Sequence, residues 1–437
     1  MIDELKKKID ARDYRVAVVG LGYVGLPLAV EFAREGFPVV GIDIDSEKTD
    51  AINAGRSYIP DISDDYLKEA QEKGGLEATA DFSRIGEVDA IIICVPTPLS
   101  KTRDPDISYI MSALQEIKKY LKRGHVVSLE STTYPGTTDE LVRPTLEESG
   151  LKAGTDFFLA FSPERIDPGN RIYTVKNTPK VVGGINEEST DIVSYLYSRV
   201  LEKVVPVSSC KVAEMSKLLE NTFRSINIAL ANEMAIMCHI LGVDVWEVIE
   251  AAATKPFGFM KFYPGPGIGG HCIPIDPLYL SWKLRTLNYN ARMIEVASEI
   301  NTSMPRYVVE RVADALNEHM KSVKGSRILV LGIAYKKDVN DIRESPAFDV
   351  IKLLEIKGAS VEYNDPFVPR ARINGHFRES VDLTGDRLRE ADCVIITTDH
   401  SVYDYEFIVK NARLVVDTKN ATKGLSENLL RGKVVKL

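Results

Sequence analysis

From Tyr14 the chain reads YRVAVVG, then LGYVGLPLAVEFAREG, then FPVVGIDID. An apolar run of strand length, a glycine-rich turn, a helical stretch stopped at Gly36 and a second apolar run ending in acids together make a βαβ unit. Further apolar runs bounded by turn residues follow at DAIIICVPTP, HVVSLEST, DFFLAFSPE and KVVGGI, with helix-like stretches between them. Strands that alternate with helices imply an α/β fold with a parallel, doubly wound sheet.

The turn itself is Gly20-Leu21-Gly22-Tyr23-Val24-Gly25, a G-x-G-x-x-G directly after a strand and opening a helix. Its glycines permit a tight turn, close backbone approach to a pyrophosphate and close helix packing, while the helix N-terminus favours the anion. Asp43 closes the next strand. A carboxylate there accepts from both ribose hydroxyls and repels a 2′-phosphate, so the cofactor expected is NAD and not NADP.

The pattern changes after Val207. From Lys211 to Leu241 the chain runs without Gly or Pro, opened by Ser208 and Ser209 as cap candidates and closed by Gly242. Such a helix is about 45 Å long, more than one small domain needs. It suits a spine between domains, a dimer interface, or both. Helices are also expected at VDVWEVIEAAA and across NARMIEVASEINTSM.

Beyond Ser322 the opening order returns: SRILVLGIAY, FDVIKLLEIKG, ASVEYNDP, DCVIITTDH and RLVVDTKNA. This is a second, diverged copy without the full glycine pattern. The architecture expected is two Rossmann-like doubly wound domains joined by a long central helix within a helical middle section. The divisions fall at 1–207, 208–318 and 319–437.

Composition narrows the partners. The 437 residues carry a net charge of −8, with Lys and Arg scattered and not blocked together, which weighs against nucleic acid or an anionic membrane as main partner. The charged start MIDELKKKIDARD is unlike a signal peptide, and the longest apolar stretch, IALANEMAIMCHILGVDVW, is broken by Asn232, Glu233 and His239. Cysteines at 94, 210, 238, 272 and 393 show no C-x-x-C spacing, so neither a disulfide framework nor structural zinc is expected, and a reducing cytoplasm fits best.

One cysteine stands apart. Gly265-Pro266-Gly267-Ile268-Gly269-Gly270-His271-Cys272-Ile273-Pro274-Ile275-Asp276-Pro277 puts a thiol in rigid backbone with little side-chain bulk. Bare N–H groups and a helix start after Pro274 favour a thiolate and an oxyanion, as a cysteine nucleophile requires. Cys94, Cys238 and Cys393 read as buried small hydrophobes, and Cys210 is undecided. A Cys–His hydrolase using His271 is disfavoured because neighbours in sequence point apart. No metal is expected. On the long helix Glu214, Lys217, Asn221 and Arg224 form one polar line, which suits either a solvated face or the border of a cleft.

The motifs GLGYVGLP, CVPTP, ESTTYPGTT, SPERIDPG, EMSKLLENTFRSINIALANE, YPGPGIGGHCIPIDP and GIAYKKDVNDIRESP, in this order, resemble the UDP-glucose/GDP-mannose dehydrogenase family from about Val16 to Lys419. The resemblance implies a four-electron oxidation of the C6 hydroxymethyl of a UDP-sugar to a carboxylate with NAD as acceptor. By matching position it implies that Cys272 traps the aldehyde and carries a thioester. Lys217 and Asn221 would hold the oxyanion, Asp276 with Lys217 a water, and Glu164 would assist hydrolysis; Thr132 would bond near that water and the nicotinamide. For the cofactor it adds Tyr23, Val24, Lys48, Thr97 and Arg343. For the substrate it implies Lys336 and the Tyr263 to Gly269 segment, with Gly265 among its backbone contacts. It also implies a homodimer through the central helix.

SPERIDPG and GGHCIPIDP are more like members that act on UDP-N-acetylhexosamines, and UDP-N-acetylglucosamine is the substrate expected, with UDP-N-acetylmannosamine and UDP-glucose as alternatives. Arg165 stands where UDP-glucose enzymes have Phe. A non-catalytic regulator that binds NAD or nucleotide sugar is the alternative from another class, and a single-step hydroxyacid dehydrogenase would need no thiol.

Overall fold

The computed structural model describes residues 1–59, 61–98, 104–167, 170, 172–270 and 272–437. The chain divides into two compact units, Met1–Glu220 with Leu278–Tyr289, and Asn221–Pro277 with Asn290–Leu437.

The first unit is built on strands β1 (Val16–Val19), β2 (Val39–Ile42), β3 (Glu77–Thr79), β4 (Ala90–Ile93), β5 (Val126–Leu129), β6 (Phe158–Phe161), β7 (Lys180–Gly184) and β8 (Val204–Val207). They form one sheet in the order β3-β2-β1-β4-β5-β6-β7-β8. Alternate residues go to opposite faces: Val16, Val18, Ala90 and Ile92 join one apolar cluster, Ala17, Val19, Ile91 and Ile93 another. Burial on both faces is why these strands read as unbroken apolar runs. The strand order reverses between β1 and β4, which places the Gly20 turn at the switch point of a doubly wound sheet.

The expected all-parallel sheet fails at one pairing, since β7 runs antiparallel to β6. Parallel neighbours need a crossover, usually helical. Between Phe161 and Lys180 the described residues form no helix, and the chain turns back on itself.

The second unit holds β9 (Arg327–Leu331), β10 (Ser360–Asn364), β11 (Arg370–Ile373), β12 (His376–Glu379), β13 (Cys393–Ile396), β14 (Val415–Asp417) and β15 (Val434–Lys436). Its parallel sheet has the order β10-β9-β13-β14-β15, and β11 and β12 make a separate antiparallel hairpin. Asn374 and Gly375, at φ 49° and 87°, supply the left-handed pair that a two-residue hairpin turn requires. Again two apolar clusters form, Ile328 and Val330 in one and Leu329 and Leu331 in the other.

The long helix runs Cys210–Leu241, 32 residues, with Ser209 Oγ accepting from the Val212 N–H at 3.3 Å. A second helix, Arg292–Glu318, continues through Pro305, with Ile294, Ala297, Asn301 and Met304 before it and Val308, Val312 and Leu316 after it buried at helical spacing. No helix among the described residues is long and apolar enough to cross a membrane.

Candidate active site

In the first unit the glycine turn separates by function. Gly20 has φ +91°, and a Cβ there would lie 2.7 Å from the Cys94 carbonyl oxygen; a Cβ on Gly25 would lie 1.8 Å from the Gly20 oxygen. Both are demanded by the fold. A Cβ on Gly22 would meet nothing within 4 Å. Packing does not need that glycine, whereas a pyrophosphate lying on the turn does. The helix Gly25–Arg34 starts there. Asp43, 8% exposed, accepts from the Leu21 N–H at 2.8 Å, the Asp45 N–H at 3.0 Å and Lys48 Nζ at 3.3 Å. Anion-ready backbone, open space and a carboxylate at the strand end fit NAD.

Around this cradle Tyr23 is exposed and Val24 precedes the helix. Thr97 is buried, and its carbonyl and that of Pro98 accept from the Tyr279 hydroxyl at 2.9 and 3.1 Å. Thr132 is half-buried in the turn after β5, beside Ser131, whose hydroxyl donates to the Val95 carbonyl at 2.7 Å.

Glu164 follows β6. Its Oε1 accepts from the N–H groups of Arg165 and Ile166 at 2.6 and 2.8 Å, and its Oε2 pairs with Lys180 Nζ at 2.9 Å. Lys180 is 2.6 Å from Glu130 Oε2, and Tyr197 donates to the other Glu130 oxygen. Burial pushes the Glu164 carboxyl up, but Lys180 and the two N–H groups outweigh it and hold it below the usual carboxylate value. Burial dominates at Glu130 and leaves it raised, while its two carboxylate partners outweigh burial at Lys180 and raise that ammonium. Arg165 is turned away from this cluster, 2.8 Å from Glu220 Oε1 and donating to the Pro179 carbonyl at 2.8 Å.

The polar line on the long helix is not a solvated face, since Glu214, Lys217 and Asn221 are buried and only Arg224 is exposed. Glu214 accepts from the N–H groups of Gly136 and Thr138 at 2.6 and 2.9 Å and from the Thr138 hydroxyl at 2.7 Å, and burial raises its carboxyl. It ties the 131–138 turn to the helix. Lys217 is 8% exposed and has no hydrogen-bond or ion-pair partner among the described residues. A buried ammonium lacking a counter-charge is costly unless it serves a ligand. Cys210 is buried with its thiol on the Gly183 carbonyl at 3.2 Å, and burial raises it well out of the reactive range.

In the second unit the Gly-Pro loop is held at both ends. The Gly265 N–H donates to Asn232 Oδ1 at 2.9 Å and the Gly270 N–H to the Arg343 carbonyl at 2.9 Å. Asn232 in turn donates to Asn301 at 2.9 Å, and Asn301 to the Ser225 carbonyl at 3.1 Å. A Cβ on Gly269 would lie 2.5 Å from Tyr335 Cβ, so the loop's bareness lets the Tyr335–Arg343 segment, with Lys336, pack on it. Arg343 is exposed and makes a two-pronged contact with Asp341 at 2.6 and 3.0 Å. Tyr263 stacks on Trp246, with ring centroids 5.7 Å apart.

Cys272 is exposed, and its carbonyl accepts from the N–H groups of Ile275 and Asp276 at 3.2 and 2.8 Å. The helix Asp276–Arg285 begins there. Asp276, 2% exposed, accepts from Asn221 Nδ2 at 2.5 Å. The second unit thus brings Asn221, Asp276 and the Cys272 turn together, as the first brings Glu164 into an ion cluster. His271, the alternative base, lies outside the described residues. Cys94, Cys238 and Cys393 are buried. Among the described residues no three His, Cys, Asp or Glu side chains cluster as a metal site would need.

Sequence reasoning missed Lys180, Glu130, Asn232 and Asn301. Lys180 carried a signal, a lone cation opening the apolar run KVVGGI; the asparagines carried none, because their partners are distant in sequence.

Three segments match sequence families: residues 14–201 the "UDP-glucose/GDP-mannose dehydrogenase family, NAD binding domain", 211–303 the central domain and 329–424 the UDP binding domain of that family. The chain is 37% identical over 94% of its length to a UDP-N-acetyl-D-mannosamine dehydrogenase of Pyrococcus horikoshii, covering 96% of that protein. It is 39% identical over 82% of its length to a UDP-N-acetyl-D-glucosamine 6-dehydrogenase of Pseudomonas aeruginosa, covering 84% of that one. A solved UDP-D-ManNAc dehydrogenase from Pyrococcus horikoshii superposes with a TM-score of 0.87 at 35% identity, over 97% of this chain and 98% of the other.

Proposed function

Because the chain belongs to the UDP-glucose/GDP-mannose dehydrogenase family and is an NAD-dependent nucleotide-sugar 6-dehydrogenase, we propose that it oxidises the C6 hydroxymethyl of a UDP-N-acetylhexosamine to the carboxylate through a thioester on Cys272. The exposed thiol ending a glycine loop, on a turn whose next helix starts with the Asn221-bonded Asp276, carries this reading. UDP-N-acetylglucosamine is the substrate the sequence favours. UDP-N-acetylmannosamine is the second reading, favoured by what several relatives are named for.

When bound, NAD+ accepts a hydride in each of two oxidations. The protein's residues do the rest. Asp43 takes ribose hydroxyls and the N–H groups opening the helix Gly25–Arg34 take the pyrophosphate, with Tyr23, Val24, Lys48, Thr97, Thr132 and Arg343 completing the cofactor contacts. Asp276 with Lys217 positions the water that receives the hydroxyl proton. Cys272 sulfur adds to the aldehyde carbon, and Lys217 and Asn221 donate to the oxygen as it gains charge. Once the thiohemiacetal has become a thioester, water attacks its carbonyl carbon, Glu164 takes the water's proton, the C–S bond breaks and that proton passes from Glu164 to the departing Cys272 thiolate. Lys336 and the Tyr263 to Gly269 backbone hold the nucleotide sugar. In this reading residues 1–207 serve the dinucleotide, 208–318 supply the nucleophile and 319–437 bind UDP.

A homodimer is part of the proposal. Val212, Met215, Leu219, Phe223, Leu230 and Met237 recur along the long helix at steps of three, four and seven residues, each at least 39% exposed. Light scattering of Leu219→Glu with Phe223→Glu is expected to show a monomer where the unaltered protein is a dimer. For the activity, NADH formed per sugar consumed is measured on the three UDP-sugars with the unaltered protein and Cys272→Ser. Two NADH per sugar on one substrate, lost in the variant, supports the thioester route and names the sugar. One NADH per turnover, or indifference to the thiol, overturns it.

A further inference from the structure

Three buried ionisable side chains of the first unit, Glu130, Lys180 and Tyr197, have no part in the mechanism just described. Glu130 follows β5 and is 1% exposed; Lys180 opens β7 and is 4% exposed. The ammonium bridges Glu130 and Glu164 at 2.6 and 2.9 Å, with the Tyr197 ring centroid 5.5 Å away. Tyr197 donates to Glu130 and contacts Ser128 at 3.2 Å. Among the described residues, two further titratable groups lie beside the cluster. The Cys94 thiol is raised by burial and stays neutral, and Arg165 is engaged with Glu220.

Stability alone is a poor reason to keep such a cluster, since desolvating buried charges costs about as much as their attraction returns. The two carboxylates on Lys180 are also unequal. Glu164 has two backbone N–H donors on its other oxygen, whereas Glu130 has a phenol. A proton entering the cluster therefore settles on Glu130, which is raised, and not on Glu164, which is lowered.

We propose that Lys180 and Glu130 are positioning residues for Glu164: Lys180 fixes the orientation of its carboxylate and keeps it an anion, and Glu130 takes up the cluster's proton in its place. The proposal rests on the reading of Glu164 as the base of thioester hydrolysis. There, water oxygen bonds to the acyl carbon, the C–S bond breaks, and the proton passes from water to Glu164 and on to the departing Cys272 sulfur. A protonated Glu164 cannot begin that transfer.

The test is intact mass of the whole enzyme after mixing with NAD+ and the UDP-sugar it accepts, with kcat followed against pH. Lys180→Met is expected to lower kcat about tenfold or more while the sugar KM moves less than about threefold. It should also accumulate an acyl group on Cys272 and move the acid limb of kcat upward by about one pH unit. Lys180→Arg should restore most of the rate. An unmoved limb and no acyl-enzyme in Lys180→Met overturn the proposal. If Glu164→Gln itself accumulates no acyl-enzyme, the role given to Glu164 falls, and this inference with it. If Lys180→Met does not fold by circular dichroism, Lys180→Gln, which keeps hydrogen-bond donors and loses the charge, decides on the same two readouts. Glu130→Gln stands for a Glu130 that has already taken its proton and should leave the acid limb where it is, and a limb moved in either direction overturns the proposal.

Discussion

The βαβ openings of the two sheets solve the same backbone problem and then part. After β1 comes Gly20 at φ +91°, after β9 comes Gly332 at φ +82°. A Cβ on either would strike the exit of a neighbouring strand, 2.7 Å from the Cys94 oxygen in one case and 2.5 Å from Thr398 Cβ in the other. The second strand of each ends in a buried aspartate bonded to the backbone just past that glycine: Asp43 to Leu21 at 2.8 Å, Asp365 to Ile333 and Ala334 at 2.7 and 2.9 Å. A glycine and an aspartate in these positions are thus requirements of the turn. The next stretch of chain makes one turn a dinucleotide cradle: Gly22 and Gly25 with a helix starting at once, against Tyr335 to Glu344 with the next helix delayed to Pro346. The second turn has exchanged phosphate space for a segment that packs on Gly269 and Gly270.

The largest contrast should come from valine at corresponding kinds of glycine. Gly332→Val meets both the positive φ and the overlap with Thr398, a cost of roughly 1–3 kcal/mol from each. Thermal unfolding should drop by at least about 4 °C. An unchanged melting curve would show that the shared glycine is not a requirement of the turn. Gly22→Val should do the reverse. Since nothing of the protein lies within 4 Å of the new Cβ, stability should hold. NAD+ binding, read by calorimetry, should weaken about 100-fold, or about 2.7 kcal/mol. Retained binding would break the assignment of that space to the pyrophosphate.

This contrast also marks where sequence reading stops. The first turn was legible because three glycines, a strand and an acid fall within one short local segment, and the apolar runs of β1, β4 and β5 are buried on both faces as their composition demands. That Cys272 is not a buried structural thiol was legible from its bare surroundings. The reversed β7 was not, because apolar content does not encode strand direction. Nor were the Glu130–Lys180–Glu164 cluster and the Asn232–Asn301 clamp, whose members are separated by 50 and 69 positions along the chain at Glu130 to Lys180 and at Asn232 to Asn301. The role of Asp365 was hidden for a related reason: an acid at a strand end looks alike whether it faces a ribose or a histidine.

Asp365 sharpens that last point. It is 1% exposed, lies 3.2 Å from His400 Nε2, and His400 is itself wholly buried against Phe367. Burial alone would raise its carboxyl, but His400 and the N–H groups of Ala334 and Ile333 outweigh it and hold it below its usual value. A carboxylate lowered by folding contributes stability above its unfolded pKa and loses it as pH falls through the folded one. Denaturant unfolding should therefore show stability declining below about pH 4. Asp365→Asn should remove about 1–3 kcal/mol at neutral pH and flatten that decline. NAD+ affinity should stay as it was. A fall in affinity would mean that the two aspartates do not differ in role.

The smallest effect is expected at the partner of the other aspartate. Lys48 lies 3.3 Å from Asp43 Oδ2, and about a third of its side chain is exposed where that of His400 has none. A pair open to water is worth about 0–1 kcal/mol, so Lys48→Met should leave the melting temperature within about 2 °C. Its consequence belongs to the ligand. Without the ammonium, Asp43 keeps its bonds to the Leu21 and Asp45 N–H groups and so its place, and the NAD+ KM should rise only about three- to tenfold, the size of one exposed contact. A rise confined to KM would place Lys48 on the cofactor. A melting temperature that falls by several degrees instead would make Lys48 a structural partner like His400, and the openness of the first aspartate would cease to distinguish the two turns.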